Sequence, residues 1–595
     1  MEKHSFSLAN KLSVSLSSIL ESRKQHQQPI AAARSMGFLS DIQTPTLLED
    51  LVAVRIKVNS NSSFEESKPN LSEEENLQLI AGAYYSGELK VSTLQEIAEN
   101  QYIERIETKK TYTPKLDKAS TDIGLIASGT RSVTETGKNV YIGIVDSGFD
   151  LSHPMFRDSK GKLRVVALLD QTLRNREYHT ADLENQWIAG GSKPGKDNDG
   201  HGTHVATIAG GSKFGQYEGI APNAKFLLVK TDWMNVDNAV SWIYQKAGNS
   251  PCVANLSLGG HFGSHDGTSN AERVYDALVG SGKILVVSAG NERNDDLHLN
   301  GLFVPNQLEE VAFDILPQNS PNTPFVATTF WYSDGDDYTV ELITPSGQAL
   351  PSPTLGNTDR YNAGNLSIEI SRLAYSQNNL TQIQIAISFN TNNLPPKVLQ
   401  DWRFRIRCLS ATVGRFDAWF HNSGFARFRP HPLVKSEGTI GIPATSEGCI
   451  AVASHVSKND WDSDAGMQKD ERAFVGRSSN FSSLGPTRDG RWKPEISAPG
   501  QYITAGLADA SNSSSISVRA NRSNRLLSIE GTSMSAPIVT GAIALMLEKD
   551  PTLTPNQIKR IFQETAKKDV HTQDTLWTPV YGYGKLDLIA ALTKV

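Results

Sequence analysis

Cysteine is nearly absent. Cys252, Cys408 and Cys449 are the only three in 595 residues, and no two lie close in sequence. An odd, scattered set makes neither a disulfide framework nor a zinc site, so the thiols read as reduced and the fold must rest on its apolar core. Also missing is any run approaching the roughly 18 apolar residues of a membrane-spanning helix. The N-terminal stretch MEKHSFSLANKLSVSLSSIL interrupts its apolar positions with Lys11 and several serines, and no small-residue cleavage site follows. These absences predict a cytoplasmic chain with no membrane partner. Charge of one sign is not in excess either: 58 Lys and Arg face 64 Asp and Glu, a formal net charge of −6. That balance argues against nucleic acid as a partner. Internal repeats and low-complexity tracts are lacking as well.

What is present is globular text, with 38% hydrophobic and 21% charged residues, too long for one core. Residues 1–47 read as a helix over 7–24 and a polar linker containing QHQQP. Residues 48–115 alternate LVAVRIKV, AYYSGELKV and QYIERIET, all strand-like, with helical patterns expected after the capping-box pairs Ser72/Glu75 and Thr93/Glu96. This predicts a small β-α-β-α-β domain ending in the polar connector KKTYTPKLDKASTDIG. From 116 to 299 the runs NVYIGIVD, AKFLLVK, VANLSL and ILVVSAG are apolar on both faces and alternate with helices. They predict a parallel sheet covered on both sides. Residues 300–436 change to strand-and-turn text such as YTVELITPSGQ and WRFRIRCLS, an inserted β-sandwich with Trp331, Trp402 and Trp419 expected in its core. The α/β pattern resumes over 437–595.

Four places carry chemistry. Asp146 ends a buried strand in VYIGIVDSG, His201 sits between two glycines in DNDGHGTHVA, Asn291 follows a strand in VVSAGNE, and GTSMSAP (531–537) gathers hydroxyls before an apolar run. Taken singly, each has a plain structural reading: a turn-forming Asp, a capping or core His, a strand-ending amide, and hydroxyls capping a helix in whose first turn Pro537 fits. His204, one turn past His201, reads as structural. Taken together, an acid, a base and a hydroxyl in Gly-flanked loops are the three parts of nucleophilic acyl transfer.

DSG, GHGTHVA, NLSLGG, SAGNE, NFSSLGPTRDGRWKPEISAPG, GTSMSAP and YGYGKLDLIAAL stand in the order of the subtilisin-like serine peptidases, which the sequence closely resembles over 139–299 and 437–595. The chain order Asp, His, Ser is also that family's. The resemblance implies an α/β subtilisin-like fold and a serine endopeptidase with Ser533 as nucleophile, His201 as base, Asp146 as its orienting acid and Asn291 in the oxyanion hole. Thr203, Thr532 and Ser535 then serve local hydrogen bonding. It also implies a substrate cleft walled by Ser257-Leu258-Gly259 and Ser288-Ala289-Gly290, with Gly441 on the far rim and Glu292 at the mouth. Small walls suit large apolar residues, and Glu292 would also admit Lys or Arg.

The resemblance further implies that residues 48–115 act as a propeptide that inhibits the cleft, with cleavage expected in ETKKTYTPK (107–115). The inserted domain resembles the jelly-roll-like sandwiches of clostridial germination proteases and implies a rigidifying or partner-docking role. Two departures stand out. The segment TDWMNVDNAVS is short where relatives supply a substrate-pairing edge strand, and Met155 replaces an expected acidic calcium ligand. No cofactor is required. Calcium remains an option through Asp460, Asp462 and Asp464, which read more simply as a solvated acidic loop. The competing reading is a catalytically silent relative that binds a partner, and a further one is an esterase using the same triad.

Overall fold

The computed structural model describes residues 51–108 and 116–595, apart from 82, 128, 189–192, 317–324, 376–377, 390–398, 422–423 and 510–517. The helix expected over 7–24 and most of the expected cleavage segment lie outside the described residues. The chain divides into two compact units, 1–113 and 114–595.

The first unit runs β1 (Leu51–Val58), α1 (Asn61–Ser67), β2 (Asn76–Ala81), β3 (Tyr84–Lys90), α2 (Val91–Glu99) and β4 (Ile103–Thr108). Its strands form an antiparallel sheet in the order β2-β3-β1-β4. Val54, Ile56 and Val58 alternate onto one face and pack with Leu94 and Ile97 of α2. The helix expected after Ser72 is absent, and a strand takes its place. Glu75 does accept from Ser72 N and Oγ, at 3.0 and 2.9 Å, but its other oxygen takes Lys90 N of β3 at 2.7 Å. The pair therefore closes a turn against the sheet, and the alternating NLQLIA continues as β2. The helix expected to be capped by Thr93 starts three residues earlier, at Val91.

The second unit is built on an eight-stranded sheet. Its elements are β5 (Tyr141–Asp146), β6 (Val165–Asp170), β7 (Arg176–His179), α3 (His201–Gly210), β8 (Lys225–Lys230), α4 (Val236–Ala247), β9 (Cys252–Leu256), α5 (Asn270–Leu278), β10 (Lys283–Ser288), β11 (Ile450–His455), β12 (Ile496–Pro499) and α6 (Thr532–Lys549). The strand order is β12-β11-β10-β9-β5-β8-β6-β7, parallel except for the last pair. Ile142, Ile144, Leu228, Val253 and Val286 face α3 and α6, whereas Val145, Val229, Ala254 and Val287 face α4. Both faces are dry, which is why these strands read as continuous apolar runs. At Gly143 a Cβ would lie 2.5 Å from Ile243 of α4, so the glycine lets that helix sit down on β5.

Between His298 and Lys435 the chain forms a seven-stranded and a five-stranded antiparallel sheet. Trp331, Trp402 and Trp419 belong to their shared core. Trp419 also stacks on His265 at 4.0 Å and on His298 at 4.5 Å, where the sandwich meets the loop after β9.

Candidate active site

The site collects at the carboxyl ends of adjacent parallel strands, where the loops are free to converge. Asp146 is the last residue of β5 and only 1% exposed. Its Oδ1 accepts from His201 Nδ1 at 2.7 Å and from Ser147 N at 2.7 Å. Gly200 adopts a left-handed conformation (φ +98°) to turn the chain into α3, whose first residue is His201. A Cβ on Gly202 would meet Gly148 O at 2.2 Å and Asp146 Cβ at 3.0 Å. The flanking glycines thus allow the helix start to press against the acid's own loop. Burial alone would lower the His201 pKa, but the charge and hydrogen bond of Asp146, backed by Asp199 and Asp197, raise it to about 9. Asp146 favours the imidazolium and holds Nδ1 as the protonated nitrogen.

Asp197 was not singled out in the sequence, yet it organises this turn. Fully buried, it accepts from Ser147 Oγ at 2.9 Å, Gly200 N at 2.8 Å, Thr203 N at 2.9 Å and Thr203 Oγ1 at 2.6 Å. An Asp shortly before a helix is the signal that could have found it. Desolvation, only partly offset by these bonds, raises its pKa. His204 is fully buried, and its Nε2 contacts Ile503 O and Leu527 O at 3.1 and 2.9 Å. Burial lowers its pKa to about 3, so this neutral ring ties α3 to a neighbouring sheet.

Ser533 is the second residue of α6 and half-buried. The helix begins at Thr532, which places Pro537 beyond the first turn, where the sequence had put it. The carbonyl left without a helical donor by the missing Pro537 N–H is that of Ser533 itself. Ser257 Oγ donates to it at 2.8 Å, and Ser257 Oγ in turn accepts from Asn255 Nδ2 at 2.9 Å. Thr540 Oγ1 of the same helix closes the chain onto Asn255 Oδ1 at 2.9 Å. The Ser533 hydroxyl donates to Ser257 O at 3.3 Å, a long bond that leaves it easily turned.

Asn291 lies just past β10. Its Oδ1 accepts from Thr532 N at 2.9 Å and Thr532 Oγ1 at 3.0 Å, which fixes the amide so that Nδ2 is the free donor. Nδ2 lies 3.5 Å from where a Cβ on Gly531 would be, and Gly531 sits at φ +151°. Ser535 Oγ donates to Ala498 O at 3.0 Å, a local role like that of Thr532 and Thr203.

The remaining cleft residues form three loops joined by main-chain bonds. Gly441 N donates to Ala289 O at 3.1 Å, and Gly260 and Ile442 exchange a bonded pair at 3.0 and 2.8 Å. A Cβ on Gly259 would stand 3.1 Å from Ile442 O, so bulk there would spread the loops. Leu258 is half-buried, Ser288 is 6% exposed and Ala289 is fully buried. The Glu292 carboxylate accepts from Ser483 Oγ at 2.9 Å and lies 2.3 Å from the Cβ position of Gly290. Desolvation raises its pKa to about 7. Ser483 was missed in the sequence, being one of the two serines in NFSSLG.

The short segment after β8 forms a turn, not a strand, and exposes Trp233 (58%) and Met234 (87%). The acidic trio does not gather: Asp460 pairs with Lys118 at 2.9 Å and Asp464 with Arg522. Among the described residues no group of three or more metal-ligating side chains is found. At the loop after α3, the buried Arg164 donates to Met155 O, Gly210 O and Ala224 O and to Ser212 Oγ. No helix among the described residues is long and apolar enough to cross a membrane.

The family model of the subtilases matches residues 137–323 and 422–584. The chain belongs to the Subtilase family. It is 22% identical to the minor extracellular protease Vpr of Bacillus subtilis (strain 168), over 76% of this chain and 51% of the relative. With subtilisin E of the same organism it shares 32% identity over 26% of this chain and 35% of the relative. The chain thus spans about half the length, or less, of these curated relatives. Among solved structures, the CspB protease of Clostridium perfringens is similar with a TM-score of 0.66 and 24% identity, covering 80% of this chain and 96% of that one. That likeness establishes the subtilisin-like α/β fold.

Proposed function

We propose that this subtilase is a serine endopeptidase working through Asp146, His201 and Ser533. The observation that carries the reading is the 2.7 Å bond between Asp146 and His201 Nδ1, at the same strand ends where Ser533 and the oriented Asn291 amide meet. His201 Nε2 takes the Ser533 proton as Oγ attacks the scissile carbonyl. The resulting oxyanion receives hydrogen bonds from Asn291 Nδ2 and Ser533 N, the latter at the N-terminal end of α6, where helix polarity favours negative charge. The imidazolium then gives its proton to the leaving amine, and water repeats the sequence on the acyl-enzyme.

The loops around Ser257–Gly259, Ser288–Gly290 and Gly441 hold the acyl-side residue, which is large and apolar, or basic when Glu292 is ionised. The first unit, with its own sheet and core, serves as a propeptide. The test exposes wild-type and Ser533→Ala protein to a fluorophosphonate and records intact masses. An adduct on wild type alone, with a chain split near 107–115, is the expected result. No adduct, even after the first unit is removed from folded protein, would overturn the reading.

A further inference from the structure

A second pocket of about 520 Å³ adjoins the candidate active site. Its walls are continuous in the chain with the reacting groups: Arg293 follows Asn291 and Glu292, and Glu530 directly precedes Gly531. The acyl-side wall Ser288–Gly290 reaches Asn291 from the opposite direction. The pocket therefore begins beside the oxyanion position, and none of the acyl-side loops Ser257–Gly259, Ser288–Gly290 and Gly441 lines it. The chain returning from a hairpin absent from the sequence reading, Asp460–Ser463 with Gly466–Lys469, supplies Asp470, Arg472, Ala473 and Phe474 to the wall.

The lining has a definite chemistry. Arg293 donates to Ser478 Oγ at 3.3 Å, and Arg477 lies 5.1 Å over the Phe474 ring. Among the described residues neither guanidinium is paired with a carboxylate. The two acids on the wall are already engaged: Asp470 accepts from Tyr502 OH at 2.8 Å and from Arg472 at 3.1 Å, and Glu530 pairs with Arg519 at 3.1 Å. Gln501, 5% exposed, lines the same pocket, and its buried Oε1 has no hydrogen-bond partner among the described residues. A buried acceptor left unpaired is a standing cost that a ligand donor removes. Two cations and an orphan acceptor do not suit a simple anion, which offers no donor. They suit a peptide residue, which brings a main-chain N–H together with a side-chain carboxylate.

We propose that this pocket binds an acidic residue on the leaving-group side of the scissile bond, with Arg293 and Arg477 facing its carboxylate and Gln501 accepting a main-chain N–H. The inference rests on the peptidase reading above. The test uses the purified full-length protein and internally quenched peptides with Phe before the scissile bond. Glu and Gln, equal in shape, are exchanged at each of the first three positions after it. At one of these positions Glu should raise kcat/KM about 10-fold over Gln, the scale of a charge-assisted pair in a partly enclosed site. That ratio should fall towards one in Arg293→Gln/Arg477→Gln. Because each ratio is internal to one protein, the amount of folded variant does not enter. In wild type alone, the Glu advantage should also shrink as salt rises. A ratio near one at all three positions, a salt-independent ratio, or a ratio unchanged in the double variant would overturn the proposal while leaving the peptidase reading intact. If no peptide is cleaved even after the first unit has been removed from the folded protein, the peptidase reading falls and the pocket's assignment falls with it.

Discussion

The hydroxyl of Ser257 donates to the carbonyl oxygen of Ser533 at 2.8 Å. This bond exists because Pro537, four residues on, has no N–H to give that carbonyl. A proline inside a helix leaves one acceptor open, and here the acceptor belongs to the candidate nucleophile. A strand-end hydroxyl fills the vacancy and so locks the start of α6 to the end of β9. Position, rather than acidity, is what the arrangement supplies to Ser533.

Ser257→Ala removes that donor and also the acceptor used by Asn255 Nδ2. Two buried polar groups lose their partner, at about 1–3 kcal/mol each before relaxation. Urea unfolding should show a loss of at least 1 kcal/mol (the low end of that range), and kcat should fall more than KM rises. Unchanged stability would mean that the hydrogen bond is not made in solution.

The raised His201 pKa predicts an alkaline enzyme. The base must be neutral to act, so kcat/KM should climb with pH and level off above about 9. Asp146→Asn leaves burial unopposed, and the rising limb should move to acid pH while the plateau drops by about 10⁴. The same pair affects stability with a definite sign. A folded pKa of about 9, above the ordinary value of 6.5, gives stability that is complete below 6.5 and lost as pH rises through 9. Stability of the Asn variant should be flat across that interval, as thermal melts from pH 6 to about pH 10 would show.

Sequence conveyed the large sheet well because its strands are dry on both faces, so Ile142, Ile144, Leu228 and Val286 announce themselves by composition. The four candidate residues stood out in the sequence for a different reason: close approach demands glycine, and Gly202, Gly290 and Gly531 flank them. The small first domain was read less well. Its Ser72–Glu75 pair makes the same side-chain bonds in a turn as in a capping box, and only pairing with Lys90 decides between them. Ser483 and Arg164 were invisible because their partners come from residues up to 191 positions away. Local text does not encode such contacts.

Arg164 supplies a test of metal dependence. Its guanidinium, 8% exposed, donates to three carbonyls and a hydroxyl around the loop after α3, among them the carbonyl of Met155, which stands where the resemblance expects an acidic calcium ligand. Chelation with EDTA should leave the melting temperature of wild type unchanged. Arg164→Leu strands those neutral acceptors and should destabilise by at least about 1 kcal/mol, the low end of the cost of one buried unpaired group. A clear drop in wild-type melting temperature on chelation would refute the assignment.

Glu292 should make the preference for the acyl-side residue depend on pH. Burial holds its pKa at about 7, so the carboxyl is neutral in mild acid and charged above neutrality. The ratio of kcat/KM for Lys over Phe before the scissile bond should rise between about pH 6 and pH 8, and taking a ratio cancels the titration of His201. Glu292→Gln should hold the ratio at its low-pH value throughout. Stability runs the other way: a carboxyl with a raised folded pKa costs stability as pH climbs from 4.5 through 7. The Gln variant should lack that fall.

Gly202 tests whether backbone approach, not side-chain identity alone, sets the His201–Asp146 bond. A methyl group at this position would stand 2.2 Å from Gly148 O and 3.0 Å from Asp146 Cβ. Gly148 O is main chain within the acid's own loop, so it cannot swing aside as a long side chain would. The first turn of α3 must move instead, and His201 is the first residue of that turn. A shift of about 1 Å misplaces a catalytic group enough to cost about 10² in rate. Gly202→Ala should therefore lower kcat about 100-fold with little change in KM, since no substrate-binding loop is touched. The pH profile should also move towards acid, because a longer bond to Asp146 holds the imidazolium less well. A fall in kcat without that acid shift would place the damage elsewhere than in the Asp146–His201 pair.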